Sequence, residues 1–504
     1  MGKKLKGLAK IELINAETGE VRTQYEHNMV TNAIPNLYAK NPYAACHVSR
    51  SPSYLMGGLM LFNEQLEENV NNTMIPRTPD AWAGNGVSKG ISTKRGNAVL
   101  QETKVTPTGC KLVWEFGTAQ GNGTYQSLAL THPIICSHDI FGYAADHDEQ
   151  DKAYCDIPFT GEVSGRGGAI GFEGESSTIT EEIANAWNPD YIDVENGYFY
   201  RLRYDYATPN TLRIWRAARK TYSIPIYQCN FADSTAVDNN ARDGLFYNDP
   251  IEISVTLENA LPIKNAGRVS SIHVHNGIMY IFSFVTGTNS VLQTAIDLST
   301  FTANGVTVTQ KTLTYNDVSY YIYRYNTADT YSSLGPNKVA FKYPYIYVPT
   351  NADKTVFYRL NIEDTTDIIT LSGNAGPIET AASGSSVYGP NMALNFGNFI
   401  VRPGWYIIDT VTNTITPGAN KNAFRMGLQG FEPEYSFIKI DEEHYMYKHK
   451  ISVGSNNVYG HSYGYLQVIA MNPFYLATIN NVTPFTKTSA DVMRITYTIT
   501  EADA

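Results

Sequence analysis

Between residues 196 and 448 the chain keeps returning to one kind of phrase. It reads NGYFYRL at 196–202, NGIMYIF at 276–282, YPYIYVP at 343–349, NFIVRPGWYIID at 398–409 and EEHYMYK at 442–448. Aromatic and β-branched residues suit a pleated, half-buried surface, and the Asn, Gly and Pro around them suit turns. Segments with an acidic turn follow some of these phrases: AIDLSTF at 295–301, RLNIEDT at 359–365 and IIDTVTNT at 407–414. A recurring hairpin cannot bury its apolar face by itself, so neighbouring units must stack. The pattern predicts successive blades of a β-propeller-like domain. The phrases start at 196, 276, 343, 398 and 442, so the steps are 80, 67, 55 and 44 residues. That spacing is irregular, and a sandwich or an irregular β-solenoid competes with the propeller.

The two chain ends read differently. Met493, Ile495, Tyr497 and Ile499 alternate with Arg494, Thr496 and Thr498, a period of two with one buried face. Ile11 and Leu13 alternate with Lys10 and Glu12, Glu17-Thr18-Gly19 marks a turn, and Val21 to Tyr25 returns as a second strand. Thr31 or Asn32 is a candidate cap for a short helix through Tyr38. Residues 54–62, YLMGGLMLF, predict a buried strand with a Gly-Gly bulge. The polar stretch from Asn63 to Gly96 predicts a long contact loop. Strands are expected again at Lys111–Phe116 and Ser127–Leu130, then a flexible tract at 161–176. A lone hairpin is marginal in water and chain ends commonly lie together. The expected fold is therefore mainly β. Residues 1–190 and 470–504 build one β-sandwich module, and a β-propeller-like domain, 191–469, is inserted between them.

Composition supports many strands. Charged residues are only 17%, and Tyr (36) outnumbers Phe (20). The net charge of −10 removes the counterion-release drive for nucleic-acid binding. The basic clusters Lys3–Lys4–Lys6 and Arg213–Arg216–Arg219–Lys220 read as solvated faces. Cys46, Cys110, Cys136, Cys155 and Cys229 are odd in number and scattered, which fits buried thiols in a reduced compartment. No apolar run approaches the ~20 residues that span a bilayer, and no standard export signal is visible. Synthesis in a cytoplasm is the expectation.

INAETGEVRTQYEHNMVTNAI near the start, GGLMLFNE at 57–64, VWEFGTAQGNGTYQSLALT at 113–131 and LATINNVTPFTKTSADVMRITYTIT at 476–500 form a distinctive set of phrases. In them the chain resembles tail and minor structural proteins of phages that infect Gram-positive bacteria. The first 130 residues and the last 30 carry the resemblance; the middle carries none. The resemblance implies a virion protein assembled in a bacterial cytoplasm, with the terminal module as docking base and the insertion facing the host. It implies other virion proteins as partners, a homo-oligomer (a trimer by analogy), and host cell-wall glycan or a surface protein as target.

Signals for chemistry are sparse. His132, Cys136, His138, Asp139, His147 and Asp148 crowd one stretch, but no zinc spacing is matched, and a polar loop with one buried Cys is the expected reading. GRGGAIG at 165–171 lacks the features of a phosphate loop and reads as a linker. Neither a Gly-x-Ser-x-Gly elbow nor a His-Glu-x-x-His helix occurs. A glycoside hydrolase needs only two carboxylates, and Asp193, Asp205 and Asp297 are candidates, but Asp in a β-turn is the expected reading of all three. Recognition by aromatic rings is the other option. Tyr320, Tyr321, Tyr323, Trp405 and Tyr406 are the candidate binding residues, and core packing is the competing reading. The expected function is a tail tip, baseplate or fibre component that contacts the host, without a cofactor and without enzymatic activity. A head fibre, collar or capsid decoration protein is the alternative, and a tail-borne polysaccharide-degrading enzyme the second.

Overall fold

The structure is a computed structural model. It describes residues 4–33, 56–87, 92–106, 109–132, 136, 159–161, 170–171, 190–193, 195–204, 208, 210–218, 248–262, 268–322, 334–376, 393–402, 405–418, 437–439, 444–452, 463–471 and 474–502. Every element with described bounds is a strand, with single helical residues at Ala33, Met56 and Cys136, and the sheets are predominantly antiparallel.

The N-terminal part supplies β1 (Lys4–Asn15), β2 (Val21–His27), β3 (Met29–Val30), β4 (Gly58–Phe62), β5 (Ala81–Ala83), β6 (Asn97–Ala98), β7 (Lys104–Thr106), β8 (Gly109–Phe116) and β9 (Gly123–Thr131). The middle supplies β10 (Phe159–Gly161) and β11 (Ile170–Gly171), then a series of five units, each a sheet of four or five strands. The first unit is β12 (Tyr191–Asp193), β13 (Tyr198–Tyr204), β14 (Thr211–Ala218) and β15 (Asn248–Thr256). The second is β16 (Arg268–His275), β17 (Ile278–Val285), β18 (Ser290–Thr302) and β19 (Gly305–Thr314), with β20 (Leu334–Pro336) added parallel to β16. The third is β21 (Ala340–Lys342), β22 (Tyr345–Pro349), β23 (Phe357–Asn361) and β24 (Ile368–Thr370). After β25 (Ser372–Gly373) the fourth is β26 (Leu394–Phe396), β27 (Phe399–Arg402), β28 (Tyr406–Asp409) and β29 (Thr414–Pro417). The fifth is β30 (Phe437–Lys439), β31 (His444–Ser452) and β32 (Tyr463–Met471), and β10 and β11 pair with β32. The chain ends with β33 (Thr478–Lys487) and β34 (Asp491–Ala502).

The two chain ends share two sheets. One has the order β2-β1-β34-β8-β6, with β7 also on β8; the other is β3-β33-β9-β4-β5. β34 lies between β1 and β8, so Ile495 has Ile11 on one side and Trp114 on the other. Ile11, Leu13, Trp114, Phe116, Met493, Ile495 and Tyr497 of the first sheet join Leu59, Leu61, Tyr125, Leu128, Leu130 and Phe485 of the second in one buried cluster. Each such apolar side chain withdrawn from water contributes about 1.5–3 kcal/mol. Alternation on β34 therefore selects which face turns inward, and the opposite sheet supplies what it packs against.

In the middle, each unit runs as a meander, each strand pairing with the next. All the recurring aromatic phrases contribute the second strand of a unit, namely β13, β17, β22, β27 and β31. Asn276 and Gly277 both have positive φ, 47° and 74°, between β16 and β17, the conformation that a tight hairpin requires. Neighbouring units share cores through opposite faces of one strand. On β17, Met279 and Ile281 pack in a cluster with Tyr200, Leu212 and Ile214 of the first unit. The intervening Tyr280, Phe282 and Phe284 pack with Phe341, Ile346 and Val348 of the third. On β22, Tyr347 turns instead to Ile400, Trp405 and Ile408 of the fourth. β12 of the first unit also lies against β30 of the fifth.

The structure corrects parts of the sequence reading. Residues 159–161 and 170–171, assigned from sequence to the terminal module, pair with β32 of the middle region. The tract expected as a linker thus contributes strands, because β32 would otherwise carry an unpaired edge. Pairing of β4 with β9 runs without a shift from Gly58↔Thr131 to Phe62↔Ser127, so there is no Gly-Gly bulge within it. Gly58 is required for space instead: a Cβ would lie 2.9 Å from the His132 carbonyl oxygen. The stretch expected as a contact loop contributes buried β5 and Ile75 to the interior. Thr31 Oγ1 accepts a hydrogen bond from the Ala33 N–H at 3.2 Å, while the rest of the expected helix lies outside the described residues.

Candidate functional site

Meander topology gives the middle region two ends. Hairpins between first and second strands lie at one end; hairpins between second and third strands, and the connections to the next unit, lie at the other. The first end meets the terminal module. There the β26–β27 turn faces the segment from Met74 to Thr78. Asn398 Nδ2 donates to the Pro76 carbonyl at 2.8 Å. A Cβ on Gly397, whose φ is 62°, would sit 3.2 Å from Met74 Cβ. Phe474 stacks on Phe396 at 5.2 Å and lies 5.0 Å from Phe399. Asp409 is buried, and its two oxygens divide their work. Oδ1 accepts the Val411 and Thr412 N–H groups of its own turn, and Oδ2 accepts both the N–H and the hydroxyl of Thr78. Lys342 Nζ extends the network, donating to the Gly397 carbonyl, Asn398 Oδ1 and Thr410 Oγ1. This contact is buried and aromatic at Phe474 and charge-assisted at Asp409, a combination suited to a fixed attachment.

The opposite end gathers the turn Thr286–Asn289, the segment Ser319–Ile322, the turn Thr350–Val356 and the start of β28. Tyr320 N–H donates to the Thr288 carbonyl and Tyr321 N–H to the Pro349 carbonyl, tying the second unit to the third. Four of the candidate binding residues, Tyr320, Tyr321, Trp405 and Tyr406, lie here, with different exposures. Tyr320 is buried; its ring stands edge-on to Phe284 at 5.7 Å, its hydroxyl donates to the Ser290 carbonyl, and burial pushes that hydroxyl's pKa up. Trp405 and Tyr406 are buried against Phe357, at 5.6 and 4.8 Å. Burial pushes the Tyr406 hydroxyl up to about 12. These three rings pack in the core and present no face to a ligand, because the apolar faces of stacked units need them there. Tyr321 is half-buried, with the Lys354 ammonium 4.3 Å above its ring, a cation–π contact. Tyr323 lies outside the described residues.

The candidate carboxylates serve turns. Asp193 accepts from the N–H and the amide of Asn196 at 2.9 Å each, and Asp297 Oδ1 accepts from the Ser299 N–H and hydroxyl. Asp205 lies outside the described residues. Of the metal candidates, His132 and Cys136 are wholly buried, and the Cys136 thiol lies 3.5 Å from the Leu59 carbonyl. Burial pushes that thiol's pKa upward, away from the thiolate a metal would need. His138, Asp139, His147 and Asp148 lie outside the described residues, and among the described residues no group of three or more His, Cys, Asp or Glu converges on one point. Arg216, expected on a solvated face, is held between the Tyr198 and Phe301 rings at 4.4 Å from each. No described helix is long and apolar enough to cross a membrane.

Sequence reasoning missed Thr78, Asn398 and the attachment role of Asp409. The acidic turn containing Asp409 was visible, but a second partner 331 residues away leaves no local signal.

No family model matches the chain, and no curated protein matches it. Distant similarity links the chain to several solved structures. The core factor of S. cerevisiae has 11% identity and a TM-score of 0.26, covering 63% of this chain and 58% of that one. Prolyl oligopeptidase B from Galerina marginata has 10% identity and a TM-score of 0.22, covering 92% and 60%. An engineered GH43 glycoside hydrolase has 9% identity and a TM-score of 0.14, covering 81% and 98%. The chain thus spans about 58–60% of the length of the first two.

Proposed function

We propose that this chain is a structural and adhesive protein of a bacteriophage particle, a component of the tail tip, baseplate or fibre. The two sheets shared by the chain ends form a β-sandwich that docks to other virion proteins. The middle forms a β-propeller-like domain of five blades, closed where β10 and β11 complete the fifth blade. The domain contacts cell-wall glycan or a surface protein of a Gram-positive host. The protein acts as a homo-oligomer in the virion and is not an enzyme.

One observation carries this reading: the middle region is fastened to the terminal module at one end, through Phe474, Asn398 and Asp409, leaving the opposite end to bear its inter-unit connections. Binding residues are commonly placed on loops that a rigid scaffold holds apart. The phrases near both termini that resemble phage structural proteins supply the particle, and the sparse catalytic signals favour binding over cleavage. Weak single sites suffice when several copies act together on one particle.

The test is competition for adsorption. The purified full-length chain should bind host cells or their isolated wall glycan and block attachment of intact phage. Labelled antibody should place it at the tail by electron microscopy. Location on the head would move it to the head-fibre, collar or decoration class. Release of sugar fragments during incubation, abolished by changing one acidic residue, would make it a polysaccharide-degrading enzyme.

A further inference from the structure

We propose that β2 is a self-recognition edge, pairing antiparallel with β2 of a second copy of this chain about a two-fold axis at Gln24. β2 is the outermost strand of its sheet, and among the described residues only β1 pairs with it. Its seven residues pair regularly with β1, without a bulge or a proline, so two common guards of a sheet edge are missing. Tyr25 is 59% exposed and Val21 49%.

The backbone pattern identifies the groups that face outward. Asn15 N–H donates to the Glu20 carbonyl at 2.8 Å, and Asn28 N–H to the Gly7 carbonyl at 3.3 Å. With the register Leu13↔Arg22, Ile11↔Gln24 and Ala9↔Glu26, the even-numbered residues of β2 are the ones bonded to β1. Antiparallel ladders alternate, so Val21, Thr23, Tyr25 and His27 direct their N–H and C=O groups away from the sheet.

A second β2 can satisfy those groups in one self-consistent register. With Gln24 on the axis, Thr23 lies opposite Tyr25 of the second copy, Val21 opposite His27, and Arg22 opposite Glu26. Thr23, Tyr25, Val21 and His27 then supply the new backbone bonds. Arg22 and Glu26 occupy the intervening positions, where facing side chains come closest. Because the axis makes the contact isologous, the ion pair forms twice. Sliding by two residues in one direction sets Glu20 against Glu26, like charges; sliding in the other removes the Arg22 partner. Charge complementarity thus selects the two-fold pairing over the three-fold assembly that family analogy suggests. Arg22 has room to respond: its side chain is 61% exposed, 3.2 Å from Asp491. Glu26 holds the Gln24 amide and the Thr483 N–H through Oε1, so its other oxygen is the one that meets the second copy's Arg22.

The strand-to-strand contact is short, well below the area of standard stable interfaces, so association is expected over about 1–100 µM. Sedimentation velocity on the full chain across that range should show a monomer–dimer equilibrium. Arg22→Glu and Glu26→Arg should each shift the chain to monomer. The double swap R22E/E26R should restore the dimer, since it rebuilds the pair with reversed polarity. Hydrogen exchange on the unmodified chain gives a readout that needs no variant. The amides of Val21, Thr23, Tyr25 and His27 should slow with rising concentration, and those of β3 should not. A monomer at every concentration, a trimer, a double swap that stays monomeric, or concentration-independent exchange at these amides would overturn the proposal.

Discussion

The Asp409 carboxylate accepts two hydrogen bonds from Thr78, one from its backbone N–H at 2.8 Å and one from its hydroxyl at 2.9 Å. The same carboxylate holds its own turn through the Val411 and Thr412 N–H groups. A local turn and a contact between distant segments therefore depend on one side chain. Asp409→Ala should destabilise the protein by about 1–3 kcal/mol, because four part-buried donors lose a buried, charged acceptor. Thr78→Val removes the hydroxyl alone and should cost about 1 kcal/mol. Urea unfolding of both single variants and the double should give a coupling energy of ~0.5 kcal/mol or more. Strict additivity would mean that the contact contributes nothing.

Asn480 lies on β33 opposite Leu128 and is wholly buried, and neither of its amide atoms has a partner among the described residues. A buried amide without partners is costly, and an apolar side chain of similar size removes that cost. Asn480→Leu should raise stability by about 1 kcal/mol, read as a higher denaturation midpoint at unchanged slope. A drop in the midpoint would show that the amide is bonded.

Lys487 is 1% exposed, and its ammonium donates to Asn122 Oδ1 at 2.8 Å. Burial pulls its pKa down from 10.5 to about 8, with Asp491 opposing the shift. At pH values between these two the unfolded chain binds more protons than the folded one, so this group makes stability rise with pH. Below about 8 the lysine is charged in both states and its contribution is flat. Thermal melts from pH 7 to 9.5 should climb above pH 8 in the wild type. Lys487→Met should flatten that climb, and equal slopes in the two proteins would refute the assignment.

Cys110 and Cys136 are both buried free thiols, and burial raises the first to about 11 and the second further. The thiolate is the reactive form. In the native protein at pH 8, alkylation followed by peptide mapping should leave both unlabelled, and denaturant should expose both. Rapid native labelling of either would mean that the core around it opens.

Some of this architecture was readable before any coordinates. Alternation of Met493, Ile495, Tyr497 and Ile499 reads as a strand with one wet face, and all four are buried. Phrases such as NGIMYIF are visible as hairpin strands because Asn276 and Gly277 mark the turn locally. The aromatic candidates show where such reading stops. Trp405 and Tyr406 look alike as core and as ligand platform, since both uses call for a large apolar ring. Stacking of the fourth unit on Phe357 decided for the core.

By itself, then, the sequence determined strand periodicity, turn positions and the predominance of strands among the described elements, because these depend on contacts within a few residues. Only the tertiary structure decided that β34 sits between β1 and β8, that β10 and β11 complete a sheet with β32, and that Asp409 reaches Thr78. Those pairings join segments hundreds of residues apart, and backbone hydrogen bonds carry no residue-specific code. Which partner closes an edge is selected by the combined burial of whole faces.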